Sequence, residues 1–467
     1  MIKGQANHLR ISIPGSKSES NRALIIQAFA SDRIQIENIS NSDDTRALIQ
    51  ALELAHASSI SSSNLSSGSS SLSSSGSISI TGTGSSSSSL SSSNSLSGSG
   101  SGSLSSLSLN SSSSSNSEIK IDCGHAGSTF RFLTAYFAGL AGKEIILTGS
   151  EQLQSRPMAP LLSALRALGA DITCLAKEGF APIRISGKKL QASNVVEIDS
   201  SLSSQYISAL LLIGSQMEGG LNLHLNQSRV SNAYIQMTIS LLKQAGIIVS
   251  DHQDNIHIAA QKIQSHTFYI EPDWSSASYW YAIKALGYSG NIFLTGLKKN
   301  STQGDACIAR LMENYGVQTI YHEGGIEIIS GTICKEDLLI DCIDCPDLAP
   351  TLIATAAAMR LPYRFTGLQT LAHKESNRTE ALRSDLAKIG TELKEEEGIY
   401  FINYTHPYDF TRALVFDTHQ EHRMAMCLAP LALQWPHITI HNAAVVEKSY
   451  RSFWDDFAQT GLSLNLQ

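Results

Sequence analysis

Nine consecutive residues near the N-terminus, Pro14-Gly15-Ser16-Lys17-Ser18-Glu19-Ser20-Asn21-Arg22, gather two cations, three hydroxyls and an amide just ahead of the apolar run 23–30. Pro14 and Gly15 break the strand-like stretch 9–13, and Ser18 or Ser20 suits the cap of the helix that follows. A helix start offers unpaired N–H groups and the positive end of the dipole, and Lys17 and Arg22 turn it into a receptor for carboxylate or phosphate. A lone Ser-Lys pair would be an ordinary solvated cap. Here a whole row of donors has to be explained.

Further anion binders follow along the chain. Gly124-His125-Ala126-Gly127-Ser128-Thr129-Phe130-Arg131 is a glycine-containing turn feeding an apolar helix, expected at 132–140. It is not a P-loop, because no Lys precedes its Ser-Thr pair. Arg156-Pro157 opens another helix, and Ser203-Ser204-Gln205-Tyr206 opens the next, with Ser231 and Tyr234 one helix on. Paired hydroxyls plus an amide at a helix start suit a phosphate held without excess charge. In the second half, Lys374-Glu375-Ser376-Asn377-Arg378 alternates charge, Glu421-His422-Arg423 heads an apolar helix, and Lys448 follows a strand-like stretch at 443–446. Asp347 precedes a very apolar helix, 348–359. Taken singly, each has a plainer reading: a helix cap for Asp347, a solvated ion-pair face for 374–378.

The elements that must position these groups exceed one core, since 467 residues imply two or three domains. The net charge of −7 argues against a nucleic-acid or acidic-membrane partner, so basic clusters serve small anions. No run is long and apolar enough to span a bilayer, and the first dozen residues lack a signal-peptide core, so a cytoplasmic protein is expected. Seven scattered cysteines read as reduced thiols; Cys342-Ile-Asp-Cys345 and His419-Gln-Glu-His422 lack partners that would complete a metal site.

An amphipathic helix, a glycine and a short strand recur at 162–172, 241–249, 311–320, 382–393 and 453–464, around Gly169, Gly246, Gly316, Gly390 and Gly461. These glycines lie roughly 70–77 residues apart, room for a β-α-β-α-β-β unit with the glycine as helix C-cap. A first copy has its helix at 47–54 and its last hairpin invaded by residues 58–117, nearly all Ser with some Gly, Leu and Asn. Such a tract buries too little apolar surface to fold, so disorder is expected, with one strand-like island at 78–82. Six copies suggest two lobes of three.

The order of these segments resembles the enolpyruvyl transferase family, specifically the 5-enolpyruvylshikimate-3-phosphate synthases (3-phosphoshikimate 1-carboxyvinyltransferases). The Gly-Ser-Lys-Ser-x-Ser-Asn-Arg opening carries it first, and the resemblance covers the chain outside 58–117, including Asp273-Trp-Ser-Ser-Ala-Ser278 and Lys448-Ser-Tyr450. It implies an α/β (α+β) fold of two lobes, each of three βαβαββ repeats about a pseudo-threefold axis, the inverse barrel of that family. One lobe would be residues 17–272, the other 1–16 with 273–467. It implies transfer of the enolpyruvyl group of phosphoenolpyruvate to the 5-hydroxyl of shikimate 3-phosphate, releasing phosphate through a tetrahedral ketal, without metal or cofactor, in aromatic amino-acid biosynthesis. By the same resemblance Lys17, Ser18, Arg22, Ser203, Ser204, Gln205, Ser231, Tyr234, Asp347 and Lys374 bind shikimate 3-phosphate. Lys17, Gly127, Arg156, Gln205, Arg378, Arg423 and Lys448 bind phosphoenolpyruvate, the site the herbicide glyphosate occupies in the family. Asp347, Glu375 and Lys17 are the candidates for proton transfer and charge stabilisation. His125, Ser128, Thr370, Asn377 and Glu421 depart from the family pattern, Thr370 standing where an Asn commonly meets a substrate hydroxyl. The expected partners are these two small molecules, with no nucleic acid, no membrane and a monomeric chain. The alternatives are the sister transferase acting on UDP-N-acetylglucosamine, whose mobile-loop cysteine has no counterpart here, and a non-catalytic descendant.

Overall fold

The structure, a computed structural model, describes residues 8–30, 33–63, 118–191, 195–200, 203–227, 229–373, 377–462 and 465–466. One sheet shows the building unit. Strands Ile119–Asp122 and Glu144–Thr148 run parallel, and Asp171–Cys174 and Ile183–Ser186 fold back as a hairpin whose second strand pairs with Glu144–Thr148. Parallel neighbours need a crossover, here helix Gly127–Ala138, and helix Ala159–Ala167 leads to the hairpin. The same order recurs in three other four-stranded sheets, those beginning with Leu9–Ile11, Val196–Ile198 and Leu339–Asp341. Two units show fewer strands among the described residues: Leu414–Phe416, Ile438–Ile440 and Asn465–Leu466 form a parallel trio, and His266–Tyr269 pairs with Ile34–Glu37.

The five repeat glycines have one physical job. Gly169, Gly246, Gly316, Gly390 and Gly461 all have φ between 76° and 90°, and each donates its N–H to the carbonyl three residues back. The left-handed residue ends the helix and turns the chain into the next strand, which a side chain at Cβ would oppose. At Gly316 that turn lies within strand Tyr315–His322, as a bulge.

Two apolar cores result. One packs residues between Ala23 and Ile270; the other joins Leu9, Ile11 and Ile13 to residues from Trp274 to Phe457. The first strand therefore belongs with the second half, Leu9–Ile11 lying parallel to Ile292–Thr295. The chain crosses between the cores at two adjacent places. Gly15 and Pro272 face each other there as an antiparallel bridge, Ser16 N–H donates to the Glu271 carbonyl (2.8 Å), and Asp273 N–H donates to the Pro14 carbonyl (3.0 Å).

Local expectations needed correction. The helix expected from 132 begins at Gly127, because the Gly-Ser-Thr residues that read as a turn form its first turn at the cavity. The strand-like stretch 443–446 is a 3-10 segment, Ala443–Lys448, started by Asn442 in a left-handed conformation that buries Val446. The helix expected at 47–54 runs Asp43–Ser63, into the serine tract, since a helix already nucleated propagates through residues of middling propensity. The island at 78–82 lies outside the described residues. No helix among the described residues is long and apolar enough to cross a membrane.

Candidate active site

Between the two cores lies a cavity of about 410 Å³. The first residues of helices Lys17–Ala30, Gly127–Ala138 and Ser204–Gly214 line it from the first core's side, so the positive dipole ends of three helices border one space. Arg22 is anchored rather than mobile: Nε donates to Thr238 Oγ1 (2.7 Å), Nη1 to the Ser18 carbonyl (2.8 Å) and Nη2 to Ser208 Oγ (3.0 Å). Burial lowers its pKa to about 10, which still leaves it charged at neutral pH. Ser203 caps its helix, accepting from Gln205 N–H (3.3 Å). Ser231 sits at φ +55°, a left-handed conformation uncommon for a residue with a side chain, at the head of helix Asn232–Gln244.

Close approach explains Gly127. A Cβ there would lie 2.8 Å from Nη1 of both Arg131 and Arg156. Arg131 Nη1 donates to the Gly127 carbonyl (2.9 Å), and its guanidinium lies over the Tyr206 ring, 5.4 Å from the centroid. Arg156 lines the cavity, and its buried Nε makes no hydrogen bond among the described residues. Lys17 reaches Asp44 Oδ2 at 2.9 Å.

The opposite wall is an ion network. Asp347 accepts from Arg378 Nη1 (2.7 Å), Arg423 Nη2 (2.8 Å) and the Tyr234 hydroxyl (3.1 Å), the last reaching across from the first core. The capping reading of Asp347 fails, since helix Ala349–Met359 has Leu348 at its N-cap. Arg378 is no solvated helix cation either. It is buried, and Nε and Nη2 grip Glu421 at 3.0 and 3.3 Å. Glu421 also caps helix His422–Leu428, accepting from Arg423 N–H at 3.2 Å, so one buried carboxylate fixes both arginines. Burial, then Asp305 and Asp347, push the Tyr234 phenol well above its ordinary pKa and keep it a donor.

The expected residues Lys17, Ser18, Arg22, Gly127, Arg156, Ser203, Ser204, Gln205, Ser231, Tyr234, Asp347, Arg378 and Arg423 all line this cavity. Lys374 and Glu375 lie outside the described residues. Lys448 is buried at the end of its 3-10 segment, behind the lining. There, after burial itself, its charge is the chief influence lowering the pKa of His125, whose Nδ1 is 2.8 Å from Ser150 Oγ. Sequence reasoning missed Arg131 and Asp44 as lining residues, whereas Thr370, singled out at a position where the family commonly meets a substrate hydroxyl, does line the cavity. Arg131 was findable, standing one helical turn after Gly127 on the same face. Thr370 Oγ1 is buried and makes no hydrogen bond among the described residues. All seven cysteines are free thiols, and no cluster of three or more His, Cys, Asp or Glu among the described residues is placed for a metal ion.

Comparison with known proteins adds an independent line. Residues 3–77 and 102–457 match the model of the EPSP synthase (3-phosphoshikimate 1-carboxyvinyltransferase) family. The 3-phosphoshikimate 1-carboxyvinyltransferase of Bacteroides fragilis is 36% identical over 457 residues, covering 98% of this chain and 96% of that protein. The enzyme of that name from Vibrio cholerae is 31% identical over 462 residues, covering 98% and 97%. Among solved structures, EPSP synthase from Acinetobacter baumannii superposes with a TM-score of 0.65 at 19% identity, covering 98% of this chain and 96% of that one.

Proposed function

The chain belongs to the EPSP synthase family and is a 3-phosphoshikimate 1-carboxyvinyltransferase, and we propose that the cavity between the two cores is where it joins shikimate 3-phosphate to phosphoenolpyruvate. The observation that carries this reading is the charge of the lining. Among the described lining residues six are cations (Lys17, Arg22, Arg131, Arg156, Arg378, Arg423) and two are carboxylates (Asp44, Asp347). Each substrate brings one carboxylate and one phosphate, and forked guanidiniums match both groups.

On this reading residues 17–272 form one lobe and 1–16 with 273–467 the other, and the substrates draw them together. Ser203, Ser204 and Ser231 receive the 3-phosphate, and Ser18 and Arg22 the shikimate carboxylate. Gln205 and Tyr234 lie along the ring, and Asp347, Lys374 and the Thr370 hydroxyl meet its hydroxyls. Lys17, Arg156, Arg378, Arg423 and Lys448 hold phosphoenolpyruvate, with Gly127 letting the backbone approach and Arg131 adding a further fork.

The 5-hydroxyl attacks C2 of phosphoenolpyruvate while C3 takes a proton; loss of phosphate and a C3 proton then gives the enol ether. Asp347 suits the hydroxyl end. Two guanidiniums and a phenol donate to it, which favours an ionised acceptor. Glu375 is assigned the proton at C3, and Lys17 the charge that develops on the leaving phosphate. The chain is read as a cytoplasmic monomer that binds neither nucleic acid nor membrane.

Two measurements test this. Phosphate release should require shikimate 3-phosphate with phosphoenolpyruvate, and UDP-N-acetylglucosamine should not substitute. Glu375→Gln keeps volume and removes the proton, so kcat should fall about a hundredfold with little change in substrate affinity. Near wild-type turnover would move the proton work to Asp347 and Lys17.

A further inference from the structure

Glu19 lies in the first turn of helix Lys17–Ala30, two residues from Lys17, yet faces away from the cavity into the crossover between the cores. It is 5% exposed. Its Oε2 accepts from the Glu271 N–H (3.0 Å) and its Oε1 from the Thr302 hydroxyl (3.1 Å), a residue of the second half. The neighbouring carboxylate, Glu271, is buried as well. It accepts from Trp274 Nε1 (2.8 Å), Lys298 N–H (2.9 Å) and Ser301 Oγ (2.6 Å). Every one of these donors is neutral. Two buried carboxylates with no cation hydrogen-bonded to either among the described residues are costly when both are charged.

The other charges around Glu19 relieve this only in part: Arg22 attracts it through space, with no hydrogen bond between them among the described residues. Asp273, at the head of the next helix, adds a third negative group. Lys17 turns to Asp44, and Arg22, one turn on, is committed to Thr238, Ser208 and the Ser18 carbonyl. Lys298 contributes only its backbone N–H to Glu271, its ammonium lying over the Tyr269 ring.

We propose that Glu19 is a positioning residue that couples closure of the two lobes to the uptake of one proton, and through its shared helical turn sets where Lys17 stands in the cleft. The inference rests on the two-lobe reading given above. Burial first, and then Glu271 and Asp273 against the pull of its hydrogen bonds, raise the Glu19 pKa to about 7 from its ordinary 4.5. The sign follows: an acid whose pKa is raised on burial favours the buried arrangement at low pH, and that support is lost as pH rises through the raised value. Closure is therefore favoured near pH 6 and weakened by pH 8. The Thr302 contact follows suit, because a protonated Glu19 donates to the hydroxyl that otherwise donates to it.

The test compares wild type with Glu19→Gln, which is always neutral and can accept from Glu271 N–H while donating to Thr302. Between pH 6 and pH 8 the Michaelis constant for phosphoenolpyruvate should rise in wild type by up to about tenfold more than in Glu19→Gln, the limit for one proton with a pKa near 7. The substrates' own ionisation is common to both proteins and cancels. Parallel profiles would overturn the proposal. Small-angle scattering of substrate-free wild type needs neither the variant nor activity: the radius of gyration should shrink from pH 8 to pH 6, and an unchanged radius would overturn the proposal independently of the catalytic reading.

Discussion

The two walls of the cavity solve one problem in different ways. On the first core's side the donors are mostly neutral or rigidly anchored: Ser203 capping its own helix, Ser231 in a left-handed conformation, Arg22 tied to three neighbours. On the second core's side Arg378 and Arg423 already hold a carboxylate, Asp347, with Glu421 behind them. Apart from Lys17, which holds Asp44, the first wall is ready for an anion as it stands. The second must exchange one anion for another. Removing a neutral donor costs one hydrogen bond, whereas removing a member of a buried ion network leaves its partners uncompensated. The second wall should therefore be the more fragile under substitution.

The largest effect should come from Asp347→Asn. It takes away the carboxylate that Arg378 and Arg423 share, leaving Glu421 on Arg378 alone, and removes the group assigned to the 5-hydroxyl, so kcat should fall by about a thousandfold or more. Steady-state and single-turnover kinetics would measure it, and a loss confined to affinity would contradict the assignment. Glu421→Gln comes next. With the grip on Arg378 weakened and the charge beside it gone, stability should drop by about 3 kcal/mol, read by urea unfolding. Activity should fall with it, because the Arg378 fork loses its fixed orientation.

Arg423→Lys is a narrower change that keeps the charge and loses the fork. The Michaelis constant for phosphoenolpyruvate should rise by about tenfold or more, with kcat affected no more strongly. On the opposite wall, Ser203→Ala removes one neutral donor and one helix cap. The constant for shikimate 3-phosphate should rise by only about fivefold, and that for phosphoenolpyruvate should hold. If Ser203→Ala proved as damaging as Asp347→Asn, the contrast between the walls would be wrong.

Much of this architecture was legible because glycine leaves a periodic mark. The second helix of a repeat is followed by a left-handed glycine, so Gly169, Gly246, Gly316, Gly390 and Gly461 displayed the repeat without any strand having to be recognised. Most serines and arginines of the cavity were legible for a related reason, since they sit at or near helix starts, where sequence signals are local. Lys17 with Asp44, Arg378 with Glu421 and Tyr234 with Asp347 are different. They join residues 27, 43 and 113 positions apart, and no local pattern encodes such a pairing. Asp347 looked like a cap because the helix after it is real; only the fold shows its side chain turned to two arginines instead. Glu19 was visible in the opening motif, but its direction was not, because a helix start points residues two apart toward different neighbours.

The pairing of Leu9–Ile11 with Ile292–Thr295 bears on how the molecule is made. Ribosomes release the N-terminus first, so the earliest strand emerges long before its neighbour, and Ser12 meets Thr295 only after 283 further positions of chain. The first core, closed by residue 270, can consolidate while this apolar segment waits unpaired at its edge. Closing so long a loop costs little extra entropy per added residue, but it postpones the contact and makes the last docking slow. During that interval the exposed edge is the part of the nascent protein most in need of a chaperone.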